Sequence, residues 1–572
     1  MSDQERLQAL RHSASHILAQ AVARLFPAAK LAIGPAIENG FYYDFDVEKP
    51  FTQEQLELIE KEMKKIIKER YRIERFELPR EKALELMSGQ PYKLELIRDL
   101  PEDAAISFYK QDDFTDLCAG PHVDHTGRVK AYKLLSATGA YWRGDSGNKM
   151  LCRVYGTAYE TREELEEHLR RLEEAKKRDH RRIGRELDLF DLYEEGPGFP
   201  VFLPKGMVLR GLLERFWEEK HRQAGYEEIK TPIILSEELW HRSGHWDHYK
   251  NNMYFTRIDE SDYAVKPMNC PGSMLVYKRK MHSYRDLPVR MAERGLVHRH
   301  ELSGTLHGLM RVRCFTQDDA HIFMTPEQIE DEILGVIRLI DDFYGTFGFA
   351  YSVELSTRPD EFMGRIEDWD LAERKLASAL ARAGKEYAVN PGDGAFYGPK
   401  IDFHLKDCLG RSWQCGTIQL DFQMPERFEL EYVGSDGGRH RPVMIHRVVF
   451  GSIERFIAIL IEHTAGALPL WLAPDQVAVL PLTERHLEYA ETVHTALLAA
   501  GFRSELDRRN EKIGWKIREA QKRKVPYMLI LGDQERENST VSVRSRAAGD
   551  LGSMTMEALT VKLRQEAESR MK

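Results

Sequence analysis

The stretch that decides the fold reads Leu296-Val-His-Arg-His-Glu-Leu-Ser-Gly-Thr-Leu-His-Gly-Leu-Met-Arg-Val-Arg-Cys-Phe-Thr-Gln-Asp-Asp-Ala-His-Ile-Phe323. It predicts two strands joined by a long glycine-containing loop. Arg299, Arg311 and Arg313 are spaced so that several guanidinium groups can face one place. Each guanidinium offers a fixed fork of donors that suits phosphate oxygens. A solvated hairpin with surface arginines is the alternative, but the order Arg-x-Glu, loop, Arg-x-Phe-x-Gln favours a polyphosphate site.

Length and composition narrow the class of protein. A chain of 572 residues should hold about four domains, and 31% charged with 42% hydrophobic residues is typical of a soluble globular protein. The net charge of -9 argues against nonspecific coating of nucleic acid but allows local basic patches. No apolar run approaches the roughly 20 residues of a spanning helix, and the N-terminus lacks a signal core. We therefore expect a cytoplasmic protein with no membrane role.

The six cysteines are scattered. They stand at positions 118, 152, 270, 314, 408 and 415, with no C-x-x-C pair. This spacing disfavours a disulfide framework and a ribbon-type zinc site. Individual cysteines could still be metal ligands or reactive thiols.

The hairpin resembles motif 2 of class II aminoacyl-tRNA synthetases, which bind ATP across such a hairpin. Residues 206–234, an amphipathic helix followed by a strand that stops at Pro232, resemble motif 1, which builds the dimer interface of these enzymes. Residues 443–461, which contain Phe450-Gly-Ser-Ile-Glu-Arg455, resemble motif 3. The resemblance implies a homodimer and an antiparallel sheet flanked by helices. The sequence shows no Walker or G-x-G-x-x-G pattern that would indicate a Rossmann-type sheet instead.

Two short constellations stand out near the N-terminus. His12 and His16 are four residues apart and share a face if the segment is helical, and Cys118 and His122 repeat that spacing in a later segment. From the residues alone, such a set could ligate zinc, activate a water or form an inert polar patch. The pattern resembles the editing domain of threonyl-tRNA synthetases, which hydrolyses mischarged seryl-tRNA and is generally regarded as metal-free. Lys93 and Asp116 are added to the editing residues from their proximity in sequence.

Residues between the class II motifs indicate which amino acid would be the substrate. Cys270, His321 and His446 form a three-ligand zinc site only if the fold gathers them. They match the zinc ligands of threonyl-tRNA synthetases residue for residue, and that resemblance covers essentially the whole chain. Three protein ligands leave zinc an open position, which threonine can fill through its amino and hydroxyl groups.

The resemblance also assigns roles at the catalytic site. ATP would contact Arg299, Glu301, Arg311, Phe315 and Arg455, with Mg²⁺ on the departing pyrophosphate. Threonine would contact Met268, Gln317, Asp319, Tyr397 and Gln414. Lys400 would add charge near the α-phosphate, as Arg299 does. His245 is the candidate for assisting proton transfer when the tRNA ribose attacks the adenylate, with a loop histidine without a role as the alternative.

The C-terminal region looks like an α/β domain with a basic cluster between Arg508 and Lys524. It resembles the anticodon-binding domain shared by several class II synthetases. By that resemblance the anticodon bases of tRNA(Thr) would contact Asn510, Arg518, Glu535 and Arg544.

The expected fold class is therefore multidomain α+β. Its predicted parts are an α+β editing domain over 1–160, an exposed linker helix over 161–185, a class II catalytic domain over 186–472 and an anticodon-binding domain over 473–572.

Three departures from the family pattern are visible. The sequence begins at the editing domain, without the small ubiquitin-like domain of many bacterial members, and activity is expected not to depend on it. Cys314 stands where the family commonly has glycine, and Ser273 where many members have histidine. Two other interpretations remain: another class II enzyme such as a prolyl-tRNA synthetase, and an idle relative that binds RNA as a regulator.

Overall fold

A computed structural model describes residues 2–102, 104–145 and 147–570. The chain divides into two compact units, Met1–Glu173 and Glu174–Lys572. Among the described residues, no helix combines the length and the apolar character needed to cross a bilayer.

The first unit is α+β, as the sequence predicts. Its helices are α1 Asp3–Leu25, α2 Gln53–Glu69, α3 Arg80–Leu86 and α4 Pro91–Asp99. Its strands are β1 Lys30–Leu31, β2 Ala36–Ile37, β3 Gly40–Asp46, β4 Glu74–Leu78, β5 Ile106–Gln111, β6 Phe114–Leu117, β7 Ala131–Tyr141 and β8 Met150–Tyr159. One antiparallel sheet has the order β1-β3-β8-β7, with β2 beside β3, and a second has the order β4-β5-β6.

Helix α2 begins where the sequence predicts. Thr52 and Gln55 form a reciprocal capping box, and Leu56, Ile59 and Met63 lie on its buried face. Helix α1 has the same kind of cap, between Ser2 and Glu5. The two long helices pack together in one hydrophobic core, which fixes the helix that carries the first histidine pair.

The predicted linker helix is two helices. α5, Arg162–Arg178, begins at the expected capping box of Thr161 and Glu164. The single helix expected as far as Arg185 is interrupted because Asp179 leaves the helical conformation. The Asp179 carboxylate accepts from the backbone N–H of Arg181 at 2.8 Å and starts a new helix, α6, His180–Glu186.

The second unit begins with the region that the sequence predicts to be catalytic. Its further helices are α7 Pro204–Gln223, α8 Glu237–Ser243, α9 His245–Tyr249, α10 Cys270–Lys278, α11 Ile329–Phe347, α12 Ile366–Arg382, α13 Gln423–Arg427 and α14 Ile453–Thr464. Its strands are β9 Phe190–Leu192, β10 Pro200–Phe202, β11 Glu227–Glu228, β12 Ile234–Ser236, β13 Tyr254–Ile258, β14 Ser261–Val265, β15 His282–Ser283, β16 Val289–His298, β17 Cys314–Met324, β18 Ala350–Ser356, β19 Ala388–Asn390, β20 Lys400–Lys406, β21 Ser412–Asp421, β22 Tyr432–Val433, β23 Arg439–His440 and β24 Val443–Ser452.

An eight-stranded sheet organises this region, in the order β11-β16-β17-β24-β21-β20-β18-β19. The strands are antiparallel except for the pairs at the two ends. Helices α7, α11 and α14 contribute to the same hydrophobic core as the sheet. The predicted antiparallel sheet flanked by helices is confirmed, and β16 and β17 are the predicted hairpin strands.

The strand expected in motif 1 is shorter than the sequence suggests. Only Glu227 and Glu228 pair with β16, and they do so in parallel. Further along, the backbone N–H of Thr231 donates to the buried Glu293 carboxylate at 2.9 Å. A side-chain acceptor thus replaces the next ladder hydrogen bond, and the strand ends before Pro232.

The C-terminal part of this unit is α/β, as predicted. Its strands are β25 Val477–Pro481, β26 Ser504–Leu506, β27 Tyr527–Leu531, β28 Thr540–Ser545 and β29 Gly549–Thr555. Its helices are α15 Leu487–Ala499, α16 Ile513–Lys522, α17 Asp533–Asn538 and α18 Met556–Ser569. Arg503 donates to the carbonyls of Trp471 and Ala473, and Arg546 donates to those of Ala467 and Leu468. These bonds fasten the connecting segment 467–473 to the domain that follows it.

One buried carboxylate joins the three segments that the sequence predicts to be class II motifs. Glu454, at the start of α14, accepts from Arg210 of α7 at 2.8 Å and from the backbone N–H of Thr316 in β17 at 2.8 Å. Arg210 also donates to the Thr316 hydroxyl. Burial raises the pKa of Glu454 although Arg210 opposes the shift, so dehydration of the carboxylate outweighs the favourable contacts.

We expect Glu454→Ala to lower the free energy of unfolding of this region by about 3 to 5 kcal/mol, because Arg210 and the Thr316 N–H lose their buried acceptor. Glu454→Gln, which keeps an acceptor for Thr316, should cost less. Urea denaturation measures the change in the free energy of unfolding. Hydrogen exchange of the backbone amides of α7 and β17 shows whether this region loses stability. Glu167→Ala, which removes only exposed helix pairs, is the control and should have little effect.

Candidate functional site

Two connected cavities open over the eight-stranded sheet. One has a volume of about 320 Å³ and the other about 450 Å³. Both are bordered by Tyr249, Arg299, Gln317, Gln414 and Thr417. The predicted ATP residues surround the larger cavity, and the predicted zinc and threonine residues surround the smaller one. The fold therefore brings together sequence segments that are far apart.

The three predicted metal ligands converge at the end of the smaller cavity. His321 of β17 and His446 of β24 are direct partners across neighbouring strands, and Cys270 is the first residue of α10. One ligand atom from each of the three lies within 4.8 Å of the others. All three residues are buried.

The donor set fits a zinc ion. Nε2 of His321 is buried and has no hydrogen-bond partner in the described chain. Nε2 of His446 lies 2.8 Å from the Asp421 carboxylate, which is the usual second interaction of a metal-bound histidine. Burial raises the pKa of the Cys270 thiol, so a cation would be needed to stabilise its thiolate. One thiolate and two imidazoles suit zinc and leave a coordination position open.

The predicted threonine residues line the smaller cavity. Asp319 accepts from the Asn269 amide at 3.1 Å, and burial raises the pKa of Asp319 to about 6. The buried Oε1 of Gln317 has no protein partner among the described residues, so it can accept from a ligand. The remaining predicted residues are also in the wall: Met268, Tyr397 and Gln414.

The larger cavity has the predicted cationic character. Arg299 lies with its guanidinium 5.2 Å from the centre of the Phe315 ring. Arg311 donates to Glu301 at 3.0 Å. Arg455 donates to the Met310 carbonyl and the Gln414 carbonyl, both at 3.1 Å. All five predicted ATP residues line this cavity.

Arg313 does not join the other arginines at the cavity. Its guanidinium donates to the carbonyls of Glu301 and Pro197 and to the Ser303 hydroxyl. The expectation that three hairpin arginines face one place is wrong for this residue, because loop carbonyls take its donors. Arg313 instead braces the loop that carries Glu301.

Sequence reasoning missed Asp402. This buried carboxylate pairs with Lys400 and accepts from Gln414 at 2.6 Å and from Thr417 at 3.0 Å. Ser356 donates to its second oxygen at 3.0 Å. Asp402 therefore holds Lys400 and Gln414 in the cavity wall. An acidic residue two positions after Lys400, inside an apolar strand, was the available signal.

His245 lies apart from the cavity walls. Its side chain is completely buried, Nδ1 is 2.7 Å from the Ser243 hydroxyl and Nε2 is 3.9 Å from the Cys270 sulfur. Burial lowers the pKa of His245 to about 3. The ring lies behind Cys270, a predicted metal ligand, and does not line either cavity.

The first unit gathers its own cluster. His12 and His16 of α1 meet Cys118 and His122, which follow β6. The Cys118 sulfur lies 3.3 Å from Nε2 of His12 and 3.2 Å from Nε2 of His122. Burial lowers the pKa of His12, His16 and His122 and raises the pKa of Cys118 to about 11. At neutral pH the cluster holds neutral imidazoles around a thiol.

Lys93 and Asp116 lie beside this cluster. Their side chains form a buried ion pair at 2.6 Å, and the Tyr43 hydroxyl donates to Asp116 at 2.6 Å. Nε2 of His16 is 3.8 Å from the same carboxylate. The two residues chosen only from sequence proximity thus share the site with the histidines.

The predicted anticodon residues occupy different positions in the C-terminal part. Asn510 and Arg518 are exposed. Glu535 accepts from Gly532 and from Ser542, both at 2.8 Å, and so ties α17 to β28. Arg544 lies in β28. Glu535 therefore has a local structural role in the protein alone.

Two residues, Ser273 and Cys314, depart from the family pattern. Ser273 donates to the Cys270 carbonyl at 2.8 Å inside α10. Cys314 is half-buried, and burial raises its pKa to about 11. A thiol with that pKa is protonated at neutral pH.

Three family models match the chain. Residues 254–464 match the tRNA synthetase class II core domain (G, H, P, S and T), and residues 476–566 match an anticodon binding domain. Residues 106–155 match the threonyl and alanyl tRNA synthetase second additional domain.

Comparison with individual proteins identifies the family more closely than these domain models do. The chain is 71% identical to a threonine–tRNA ligase of Acetivibrio thermocellus over 97% of this chain and 88% of that protein. The RNA binding domain of threonyl-tRNA synthetase from Cryptosporidium parvum aligns with a TM-score of 0.66 and 44% identity, covering 68% of this chain and 98% of that one. Prolyl-tRNA synthetase from the same organism has a TM-score of 0.53 and 16% identity, covering 68% of this chain and 75% of that one, and shares only the fold. The identity over nearly its full length shows that the chain belongs to the threonine–tRNA ligase family.

Proposed function

We propose that the two connected cavities activate L-threonine with ATP and then transfer it to tRNA(Thr). Threonylation with editing is the activity that the family assignment supports. The observation that carries the residue-level proposal is the junction of a Cys-His-His cluster with an arginine-lined cavity through shared walls.

The first step joins the threonine carboxylate to the α-phosphorus of ATP and releases pyrophosphate with Mg²⁺. Arg299 and Lys400 would stabilise charge on the α-phosphate, while Arg311 holds the terminal phosphates. Adenine would stack between Phe315 and Arg455. Fixed cations are effective here because the charge that develops lies on phosphate oxygens.

Threonine selection would depend on the metal cluster. Cys270, His321 and His446 would hold zinc, which when bound supplies a position for the amino and hydroxyl groups of threonine. Asp319 and Gln317 would orient the same groups. Valine lacks the hydroxyl and should be rejected strongly, whereas serine loses only a methyl group, worth about 1 to 3 kcal/mol.

Serine therefore needs a second check, which the first unit would provide. His12 and His122 would accept a proton from water as it attacks the ester of seryl-tRNA(Thr), which requires that the bound substrate raise their pKa from the low values that burial imposes. Lys93 and Asp116 would hold the pocket in shape through their buried ion pair.

For the transfer step we keep His245 as the candidate proton acceptor. Burial lowers its pKa to about 3, so the ring is neutral at physiological pH but is a weak base while it stays buried. Binding of tRNA would have to uncover it. The alternative is that His245 supports Cys270, which its 3.9 Å separation from the sulfur favours.

The remaining assignments follow the family pattern. Asn510, Arg518, Glu535 and Arg544 would recognise the anticodon, and α7 with β11 would form a homodimer interface. All six cysteines are free thiols, which supports a cytoplasmic setting.

The two alternative functions are less well supported. The contrast between 71% identity to a threonine–tRNA ligase and 16% to a prolyl enzyme disfavours proline as the substrate. An idle RNA-binding relative would have no need for the metal cluster or the phosphate-binding arginines, all of which are present at the cavities.

We expect zinc-loaded protein to catalyse threonine-dependent exchange of labelled pyrophosphate into ATP. Exchange should be weak with serine, negligible with valine and proline, and lost after chelation. The chain should bind one equivalent of zinc, and Cys270→Ser should weaken binding because a thiolate ligand is lost. Metal analysis and exchange assays measure both effects.

Cys152→Ser serves as the control, because it changes a buried cysteine outside the metal cluster and outside both cavities and should keep its zinc. Threonine-dependent exchange that persists in metal-free protein would refute the zinc role. Absence of exchange with every amino acid would refute activation altogether.

We expect His122→Ala to slow hydrolysis of seryl-tRNA(Thr) by about 100-fold or more, because a proton acceptor at the attacking water is removed. Threonine activation should be unchanged. Deacylation of preformed seryl-tRNA(Thr) measures the rate. His125→Ala, outside the cluster, is the matched control, and an equal loss in that variant would contradict the assignment.

A further inference from the structure

A buried histidine links α6 to the ATP-binding hairpin. The side chain of His180 is inaccessible to solvent, and its Nδ1 lies 2.7 Å from Oε1 of Glu462 in α14. The backbone N–H of Leu309, in the hairpin loop, donates to Nε2 of His180 at 3.0 Å. Because Nε2 accepts this hydrogen bond, Nδ1 carries the hydrogen and donates to Glu462. One imidazole thus bridges the loop and α14.

The loop is closely fitted to this ring. His307 and Arg311 form an antiparallel bridge that closes a tight turn. Gly308 within the turn has a φ of 50°, and a Cβ at that position would lie 2.1 Å from Nε2 of His180. Only glycine allows the turn to approach the imidazole so closely.

The same turn is held from its other side by α14. Arg455 donates to the carbonyl of Met310 at 3.1 Å. Arg455 and Glu462 are seven residues apart and therefore lie on one face of the helix. The backbone of the turn is bonded at Leu309 to His180, which contacts Glu462 of α14, and at Met310 directly to Arg455 of α14. Both bonds therefore fix the position of the turn relative to α14.

Glu462 is itself fixed. Its second oxygen pairs with Arg411, which also donates to Asp407 at 2.6 Å. Its first oxygen additionally accepts from the backbone N–H of His180 at 3.2 Å. The acceptor on which His180 depends therefore has little freedom to move.

Asp179, His180 and Glu462 also form a geometric group that could hold a cation. Their contacts favour a different role. Both ring nitrogens of His180 already have partners, and the Asp179 carboxylate accepts from Arg181. A cation bound to His180 would have to displace either its bond to Leu309 or its bond to Glu462.

We propose that His180 is a positioning residue for ATP, which it serves by fixing the turn that ends at Arg311. The proposal rests on the assignment of Arg311 to the terminal phosphates. Without the bond to Leu309, the turn would still be anchored by the buried side chains of Leu309 and Met310 and by the bond at Met310. Its backbone would lose one hydrogen bond, however, and Arg311 would occupy a wider range of positions. ATP binding would then include the entropy of ordering the turn.

Two substitutions separate the two bonds of the ring. His180→Asn places an amide near the position of Nδ1, so it can donate to Glu462 but leaves the Leu309 N–H without an acceptor. His180→Gln places its carbonyl near the position of Nε2, so it can accept from Leu309 but loses the side-chain bond to Glu462. Both variants remove the ring from the same buried space.

The test is threonine-dependent pyrophosphate exchange in the zinc-loaded full chain, with the Tm of each variant measured in parallel. We expect His180→Asn to raise the KM for ATP about tenfold, the size of effect of one lost hydrogen bond, with kcat within about threefold. The KM for threonine should be unchanged. His180→Gln should restore the KM for ATP to within about twofold of the parent value, although its Tm also falls.

The control is His221→Gln, a buried histidine of α7 whose Nδ1 contacts the Trp217 carbonyl. It should lower Tm without changing the KM for ATP. An unchanged KM in His180→Asn, equal KM values in the Asn and Gln variants, or a raised KM in His221→Gln would overturn the proposal. Failure of the parent chain to exchange would instead refute the proposed function.

Discussion

The architecture of the catalytic region depends on one buried carboxylate. Glu454 lies in the first turn of α14, where its carboxylate accepts hydrogen bonds from Arg210 in α7 and from the backbone N–H of Thr316 in β17. Burial raises the pKa of Glu454 although Arg210 opposes the shift, so dehydration of the carboxylate offsets much of the stabilisation from its contacts. Its contribution is geometric, because a single acceptor sets the relative positions of three segments that are far apart in sequence.

The two histidine-cysteine clusters show how surroundings decide chemistry. In the catalytic region, His321 keeps a buried nitrogen without a protein partner, and Asp421 orients His446. In the first unit, the Cys118 sulfur already contacts two imidazoles and the backbone N–H of Gly120. These contacts are the basis for proposing metal binding at the first cluster and proton transfer to or from water at the second.

Periodicity and capping predicted the local structure well. The hairpin strands β16 and β17 and the capping boxes at Thr52 and Thr161 are set by neighbouring residues, so they can be read directly. The convergence of Cys270, His321 and His446 could not be derived from spacing, because only the sheet places β24 beside β17. Resemblance to a family supplied that information.

Misses arose where a side chain competes with the backbone or with a predicted partner. Asp179 ends a helix that its charged sequence would continue, and Glu293 takes the N–H of Thr231 that a strand would have used. Arg313 is drawn to loop carbonyls rather than to the cavity. Asp402 was overlooked because its importance lies in long-range partners, which local patterns do not reveal.

The fastening of segment 467–473 has a consequence for the shape of tRNA that the enzyme accepts. Arg503 and Arg546 occupy the carbonyls at both ends of this connection, which leaves it little freedom to act as a hinge. Any change in the distance between the catalytic cavities and the C-terminal domain would therefore have to arise outside residues 467–473. If the C-terminal domain recognises the anticodon as proposed, a tRNA whose anticodon and acceptor end do not match this distance would be accommodated by residues outside the connecting segment or by bending of the tRNA.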